Sequence, residues 1–374
     1  DQVRLELDYQ QENNVWVIGH KNPDTDSICA AICYANLKNR LQDGFHYIPK
    51  RAGSINEETK YVLQHFGVEP PEYAEDAGAQ VKDIAFRRTA GVSGHISLKK
   101  AWELMKTENV MTLAVTSASD KLEGLIITGD IAESYMDVYD NHILSRARTQ
   151  YKNIVETLNG TLLAGNEHAY FLRGKVVVAT GSRDVIEECI ESDDLVIVGD
   201  RDETHICALE ENASCMVVTG GTQVSAQVLE MANRRDCVVI ITPYDTFTAA
   251  RLINQSMPIK YFMKKENFVT FDIDDYVDEV REVMSKKRHR DFPVLDDQRR
   301  YLGMVSRRNL LNMHKKKLIL VDHNEKSQAI DGIEGAEILE IIDHHRLGSL
   351  ETMSPVFFRN QPFRNFNVIF IVGE

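Results

Sequence analysis

The sequence has no apolar run of membrane-spanning length, no C-x-x-C pair and no surplus of positive charge. Residues 1–14 are polar and acidic, unlike a secretory leader. Lys and Arg number 43 against 57 Asp and Glu, a net charge of −14. That deficit argues against a non-specific nucleic-acid binder, because phosphate backbones recruit Lys and Arg. It leaves room for a small anionic substrate held through metal ions. The six cysteines (Cys29, Cys33, Cys189, Cys207, Cys215, Cys237) are scattered, as free thiols in a reducing cytosol would be. The expectation is a cytoplasmic protein with no nucleic-acid and no membrane partner. With 374 residues, 43% of them hydrophobic, the chain has material for two or three domains with buried cores.

Chemistry first appears near the start. Val15 to Ile18 is a short apolar run, read as a buried strand. A loop from Gly19 to Ser27 follows, and then a helical pattern from Ile28 to Leu41. Strand, loop and helix form the unit of a parallel α/β sheet, whose ligand sites lie beyond the carboxyl ends of the strands. The loop holds His20, Asp24 and Asp26 within seven residues. Carboxylates suit hard divalent cations, and an added imidazole suits a first-row ion such as Mn²⁺. The plainer alternative is a solvated loop in which Asp26 or Ser27 caps the helix.

Two later apolar runs end in the same way. Leu318 to Val321 is followed by Asp322-His323-Asn324-Glu325, and Ile338 to Ile342 by Asp343-His344-His345-Arg346. Three strand ends rich in Asp and His form a converging metal constellation. Two metals roughly 3.5–4 Å apart would clamp the attacking and leaving oxygens of a phosphoryl transfer.

In this order the three motifs resemble those of the DHH phosphoesterase superfamily. Asn22-Pro23-Asp24-Thr25-Asp26-Ser27-Ile28-Cys29 looks like its family II inorganic pyrophosphatase branch; the nuclease and cyclic-dinucleotide branches usually place Gly where Thr25 stands. The resemblance covers about residues 10–75 and 315–363. It implies His20 and Asp24 on one metal, Asp26 and His344 on a second, and Asp322 bridging them. It further implies that Asp343 orients His344, that His345 donates to the substrate, and that Mn²⁺, with Co²⁺ or Mg²⁺ as alternatives, activates the water that attacks pyrophosphate.

Nearly 250 residues separate Gly67 from Lys315, far more than a structureless loop. Residues 97–131 match 276–310 without a gap at an offset of 179. Each copy reads as helix, strand, turn, strand and helix. The copies resemble cystathionine-β-synthase (CBS) domains, which pair and bind adenine nucleotides. That resemblance implies a ribose site at Ser306 and Asn309 in the second copy. In the first copy it implies Asp130, with Thr128 standing in because Ile127 occupies the hydroxyl position. Arg307, Arg308 and Lys286 are candidate phosphate contacts, or simply a solvated basic helix start. The stretch between the copies alternates apolar strands with helices and carries Thr219-Gly220-Gly221 after one strand. It resembles a DRTGG domain, and its strand–Gly–helix ends offer backbone amides to an anion or serve as ordinary turns.

The expected fold class is α/β: a mainly parallel DHH sheet interrupted by a paired CBS module and an α/β DRTGG domain. The expected boundaries are 1–75 and 315–374 for the catalytic parts, 76–145 and 256–314 for the CBS domains, and 146–255 for DRTGG. The resemblance implies regulation by AMP, ADP, ATP or diadenosine polyphosphates and a homodimer formed through the CBS domains. It also implies, beyond Phe363, a Gly-Cys-Thr stretch, a further bridging Asp and a cationic second domain. This sequence instead reads Arg364 to Glu374, so the expectation is weak or absent hydrolysis by this chain alone. The competing readings are a nucleotide sensor without catalysis and another DHH phosphoesterase.

Overall fold

Residues 13–361, without 138 and 312, are described by this computed structural model. The acidic stretch 1–12 and the tail 362–374 lie outside them. The chain divides into two units. The first takes the chain up to Arg87, then Phe271–Arg290, then Val305 onward. The second takes Arg88–Thr270 and Asp291–Met304. The expected second CBS domain is therefore shared between the two units.

The first unit is built on a six-stranded sheet in the order Phe357–Asn360, Glu337–Asp343, Lys317–Val321, Asn14–Ile18, His46–Arg51, Glu72–Tyr73. Every neighbouring pair is parallel. Parallel sheets are covered on both faces, and strand alternation delivers the two covers. Val15 and Val17 join the cluster under the helix Thr25–Leu41, where Ala30, Ala31 and Ala35 allow close approach. Ile18, Leu318 and Leu320 face the other way, against Ala77, Ile330 and Ile333.

Strand order fixes where a ligand site falls. From Asn14–Ile18 the chain proceeds outward to His46–Arg51 and Glu72–Tyr73; after the insertion it resumes on the opposite side, at Lys317–Val321. The crevice where the order reverses lies at the carboxyl ends of Asn14–Ile18 and Lys317–Val321, the usual ligand position in open α/β sheets. His20 and Asp322 are the residues that leave those two ends.

The second unit holds a five-stranded sheet, ordered Thr161–Ala164, Val238–Ile241, Cys215–Val218, Leu195–Val198, Val176–Val178. The last four of these run parallel and are the apolar strands expected between the repeat copies. Thr161–Ala164, antiparallel at one edge, is an addition. Alternation again splits the strands: Val196, Met216 and Val239 pack with the helices Asp202–Glu210 and Ala226–Arg234, while Ile197, Val217 and Ile240 pack with Leu98, Met105 and Ile126 of the first repeat.

The repeat offset of 179 carries through to the elements. Thr112–Thr116 and Leu122–Ile127 stand in register with Asp291–Leu295 and Tyr301–Ser306, and the helix Leu98–Thr107 with Val277–Ser285. The copies part at the closing helix. The first copy has Thr128–Met136, but the second has only the 3-10 turn Asn309–Leu311. There the chain is diverted into a bridge between Met313 and Ile84, so a helix does not continue.

Candidate metal centre and regulatory sites

Two groups of ligand atoms meet at Asp322. His20, Asp24 and Asp322 form one; Asp322, Asp343, His344 and His345 form the other, each with its ligand atoms within 4.8 Å of one another. Asp322 Oδ2 lies 3.5 Å from His20 Nε2, and Asp322 Oδ1 lies 3.5 Å from His344 Nδ1. Its two oxygens thus face the two groups.

The backbone sets these residues. Asp322 has φ of 61°, a left-handed conformation that Asp tolerates better than most residues. Its side chain is almost wholly buried, yet Oδ1 has no hydrogen-bond partner. A buried carboxylate oxygen without a donor is costly unless a cation completes it. The donor set of carboxylates and imidazoles around it suits a divalent first-row ion. These residues therefore fit a metal pair.

Asp24 has a second task. It is the N-cap of the helix Thr25–Leu41, its Oδ1 accepting from Ser27 N at 2.9 Å. The cap expected at Asp26 or Ser27 falls here instead, and the helix begins earlier than Ile28. Ser27 Oγ accepts from His20 N at 3.1 Å, so one buried serine ties both loop ligands together. Asp26, in the first turn, joins neither group. Its charge still helps to raise the His20 pKa, an effect led by the hydrogen bond to Asp322 and opposed by burial.

Asp343 holds a different imidazole from the one expected. Its Oδ1 lies 2.8 Å from His345 Nδ1 and accepts from the backbone amide of His344 at 2.8 Å. The ring it orients is therefore that of His345; His344 is held only through its main chain. Burial alone would push the Asp343 carboxyl up, but donors from His345, His344 and Asn324 hold it below the usual range. The two histidine rings stack, with centroids 4.2 Å apart. His323, buried beside this centre, went unassigned in the sequence; its Nδ1 is bound to Val321 O at 2.9 Å and burial lowers its pKa.

The nucleotide candidates are in place but mostly engaged locally. Ser306 N and Oγ both donate to Asn309 Oδ1, at 2.8 and 2.7 Å. In the first copy Asp130 Oδ2 accepts from Ile127 N at 2.8 Å, the same arrangement without the hydroxyl. Thr128 begins the following helix and gives its amide to Met111 O. Arg307 spends its guanidinium on the carbonyls of Met284, Lys287 and His289, closing the end of the helix Val277–Ser285. Lys286 pairs with Glu282, and Arg308 is exposed. The amides of Gly220 and Gly221 donate to Tyr244 O and Thr242 O, and both glycines have positive φ. That is turn chemistry, and it leaves neither amide for an anion.

The fold and site define a class: a carboxylate–imidazole cluster fit for divalent metal at the switch point of a parallel sheet, in one chain with a second α/β unit. Family models match a DRTGG domain at residues 153–256 and a CBS domain at 259–315. Over 95% of its length the chain is 41% identical to the cobalt-dependent inorganic pyrophosphatase of Clostridium perfringens. It is 38% identical over the same share to a probable manganese-dependent inorganic pyrophosphatase of Thermotoga maritima. It spans 64% of the length of each of these relatives. A solved structure of the CBS and DRTGG regulatory region of the Clostridium perfringens pyrophosphatase, complexed with the activator diadenosine tetraphosphate, is also similar. It is 36% identical with a TM-score of 0.59, covering 61% of this chain and all of that one. The chain thus carries a DRTGG and a CBS domain, and along most of its length it is similar to metal-dependent inorganic pyrophosphatases.

Proposed function

We propose that this chain supplies the metal-binding and nucleotide-sensing parts of an inorganic pyrophosphatase, with pyrophosphate as substrate and Mn²⁺ or Co²⁺ as cofactor. The observation that carries the reading is Asp322, a buried carboxylate shared by two ligand groups at the switch point. His20, Asp24 and Asp322 would hold one cation; Asp322 and His344 would hold the other. Asp26 remains a candidate for the second on resemblance alone. A bound divalent pair supplies Lewis acidity, which makes water a nucleophile at neutral pH. His345 keeps Nδ1 on the ionised Asp343, so that nitrogen is the donor and Nε2 is left to exchange a proton with substrate.

Adenine nucleotides are the proposed effectors, at Ser306, Asn309 and Asp130. The activator in the related solved regulatory region supports this. The six free thiols suit a reducing cytoplasm, and a homodimer through the CBS domains is part of the proposal. Phosphate release from pyrophosphate with Mn²⁺ or Co²⁺, with and without diadenosine tetraphosphate, tests it. Any turnover, weak as it is expected to be from this chain alone, is expected to require Asp322 and to respond to the nucleotide. Cleavage of oligonucleotides but not pyrophosphate would overturn it.

A further inference from the structure

The loop that follows Glu337–Asp343 carries His344 and His345 without helix or strand of its own. Something else must hold two imidazoles in place. Asn324, buried on the neighbouring strand end, reaches that loop at three points. Its Nδ2 donates to the Asp343 carboxylate and, at 2.9 Å, to Arg346 O. Its Oδ1 accepts from Gly348 N. Both amide protons and the carbonyl are in use, so the side chain has one consistent orientation. Gly348 completes the fit, because a Cβ there would lie 2.2 Å from Glu325 Cγ and 2.7 Å from Asn324 Oδ1.

We propose that Asn324 is a positioning residue, fixing the 343–348 loop at its start, middle and end so that His344 and His345 stand over Asp322. The contacts that hold the other ligand group are different ones: Ser27 binds His20 and Asp24 through its own hydroxyl and amide. Loss of Asn324 therefore acts on one cation site and not on its neighbour. This rests on the two-metal reading given above.

Calorimetric titration of Mn²⁺ into the metal-free chain reads it directly, without turnover. In Asn324→Ala, one class of sites keeps its affinity and the other weakens about 10- to 100-fold, the usual effect of removing a group that orients a ligand. Gly348→Ala displaces the same loop from its far end and gives the same pattern, which serves if Asn324→Ala does not fold. Asp24→Asn weakens the opposite class. Asn324→Asp matches Asn in size but sets a second carboxylate against Asp343; it loses at least as much affinity as Asn324→Ala. Equal weakening of both classes, no weakening, or a wild-type-like Asn324→Asp overturns the proposal. A wild-type chain that binds Mn²⁺ and cleaves oligonucleotides but not pyrophosphate sinks the proposed function and leaves this inference standing. One that binds neither Mn²⁺ nor Co²⁺ sinks both.

Discussion

Thr112 Oγ1 lies 3.2 Å from Asp291 Oδ2, and these two residues hold the same position in the two halves of the internal repeat, 179 apart. Lys121 and Arg300, also equivalents, meet in an isolated antiparallel bridge. Self-pairing of equivalent positions is the signature of a two-fold axis, here an approximate one within a single chain. Ala114 and Leu125 of one copy share a core with Leu295, Tyr301 and Met304 of the other.

The pairing can be measured. Thr112→Val removes the hydroxyl and leaves Asp291 without that donor, at a cost of about 0.5–1.5 kcal/mol. Thermal denaturation should show the loss. The double variant with Asp291→Leu should lose less than the sum of the singles, because the contact is removed only once. Strict additivity would mean that the two residues do not interact.

The approximate symmetry stops at the ribose candidates. Ser306 adds a hydroxyl to the Asn309 arrangement, whereas Ile127 adds nothing to that of Asp130. Asn309→Ala should weaken AMP binding about tenfold, the loss of roughly one strong hydrogen bond. Asp130→Ala should weaken it less. Equilibrium titration checks both, with a melting curve to show that Asn309→Ala still folds. Equal losses would indicate two equivalent half-sites.

His20 makes the metal-free centre pH-sensitive. Its pKa is raised, chiefly by the Asp322 hydrogen bond. A raised imidazole pKa adds stability that is full below the unfolded value, near 6.5, and is lost as pH rises through the folded value. A cation needs the neutral ring, so Mn²⁺ affinity should fall as pH drops through the same window. Mn²⁺ titrations at successively lower pH check it. His20→Gln should flatten the slope, and an unchanged slope would assign the proton to another group.

Burial also sorts the thiols. It pushes Cys29 up to about 11 and Cys237 up to about 12, while Cys189 is exposed. The thiolate is the reactive form, so at pH 8 Cys189 should react with a disulfide reagent well before either of the others. Mass spectrometry of the labelled peptides gives the order. Early labelling of Cys237 would mean that its strand opens in the native state.

Much of this was legible because it is written in local pattern. The three loops rich in Asp and His follow apolar runs that are strands in the structure, and the repeat keeps its offset because its copies have no gap. What was not legible depends on contacts distant in sequence. Nothing in Thr219-Gly220-Gly221 says that Tyr244 and Thr242 take its amides. Arg307 reads as a free cation until Met284, Lys287 and His289 are brought to it. His46–Arg51 was missed as a strand because Pro49 and three basic residues mask its pattern; its place in a parallel ladder is set by the helix that precedes it. The role of Asn324 was hidden for a similar reason, since its partners lie some twenty residues on.

The strand that ends at Asp343 is held from the other side by a charged group, and that too can be tested. Glu340 accepts from Tyr34 Oη at 2.5 Å and from Lys38 Nζ at 2.8 Å, joining the strand Glu337–Asp343 to the helix Thr25–Leu41. Both charged side chains are largely shielded, at 14% and 17% exposure. Glu340→Ala leaves a phenol and an ammonium group without their acceptor and should cost about 1–3 kcal/mol. Replacing the whole group, with Tyr34→Phe, Lys38→Met and Glu340→Leu together, should cost less than that single change, because no polar atom is then stranded. Denaturant unfolding of the metal-free protein compares the two. If the triple variant is the less stable, the ion pair contributes net stability, and the helix that carries Asp24 is coupled electrostatically to the strand that carries Asp343.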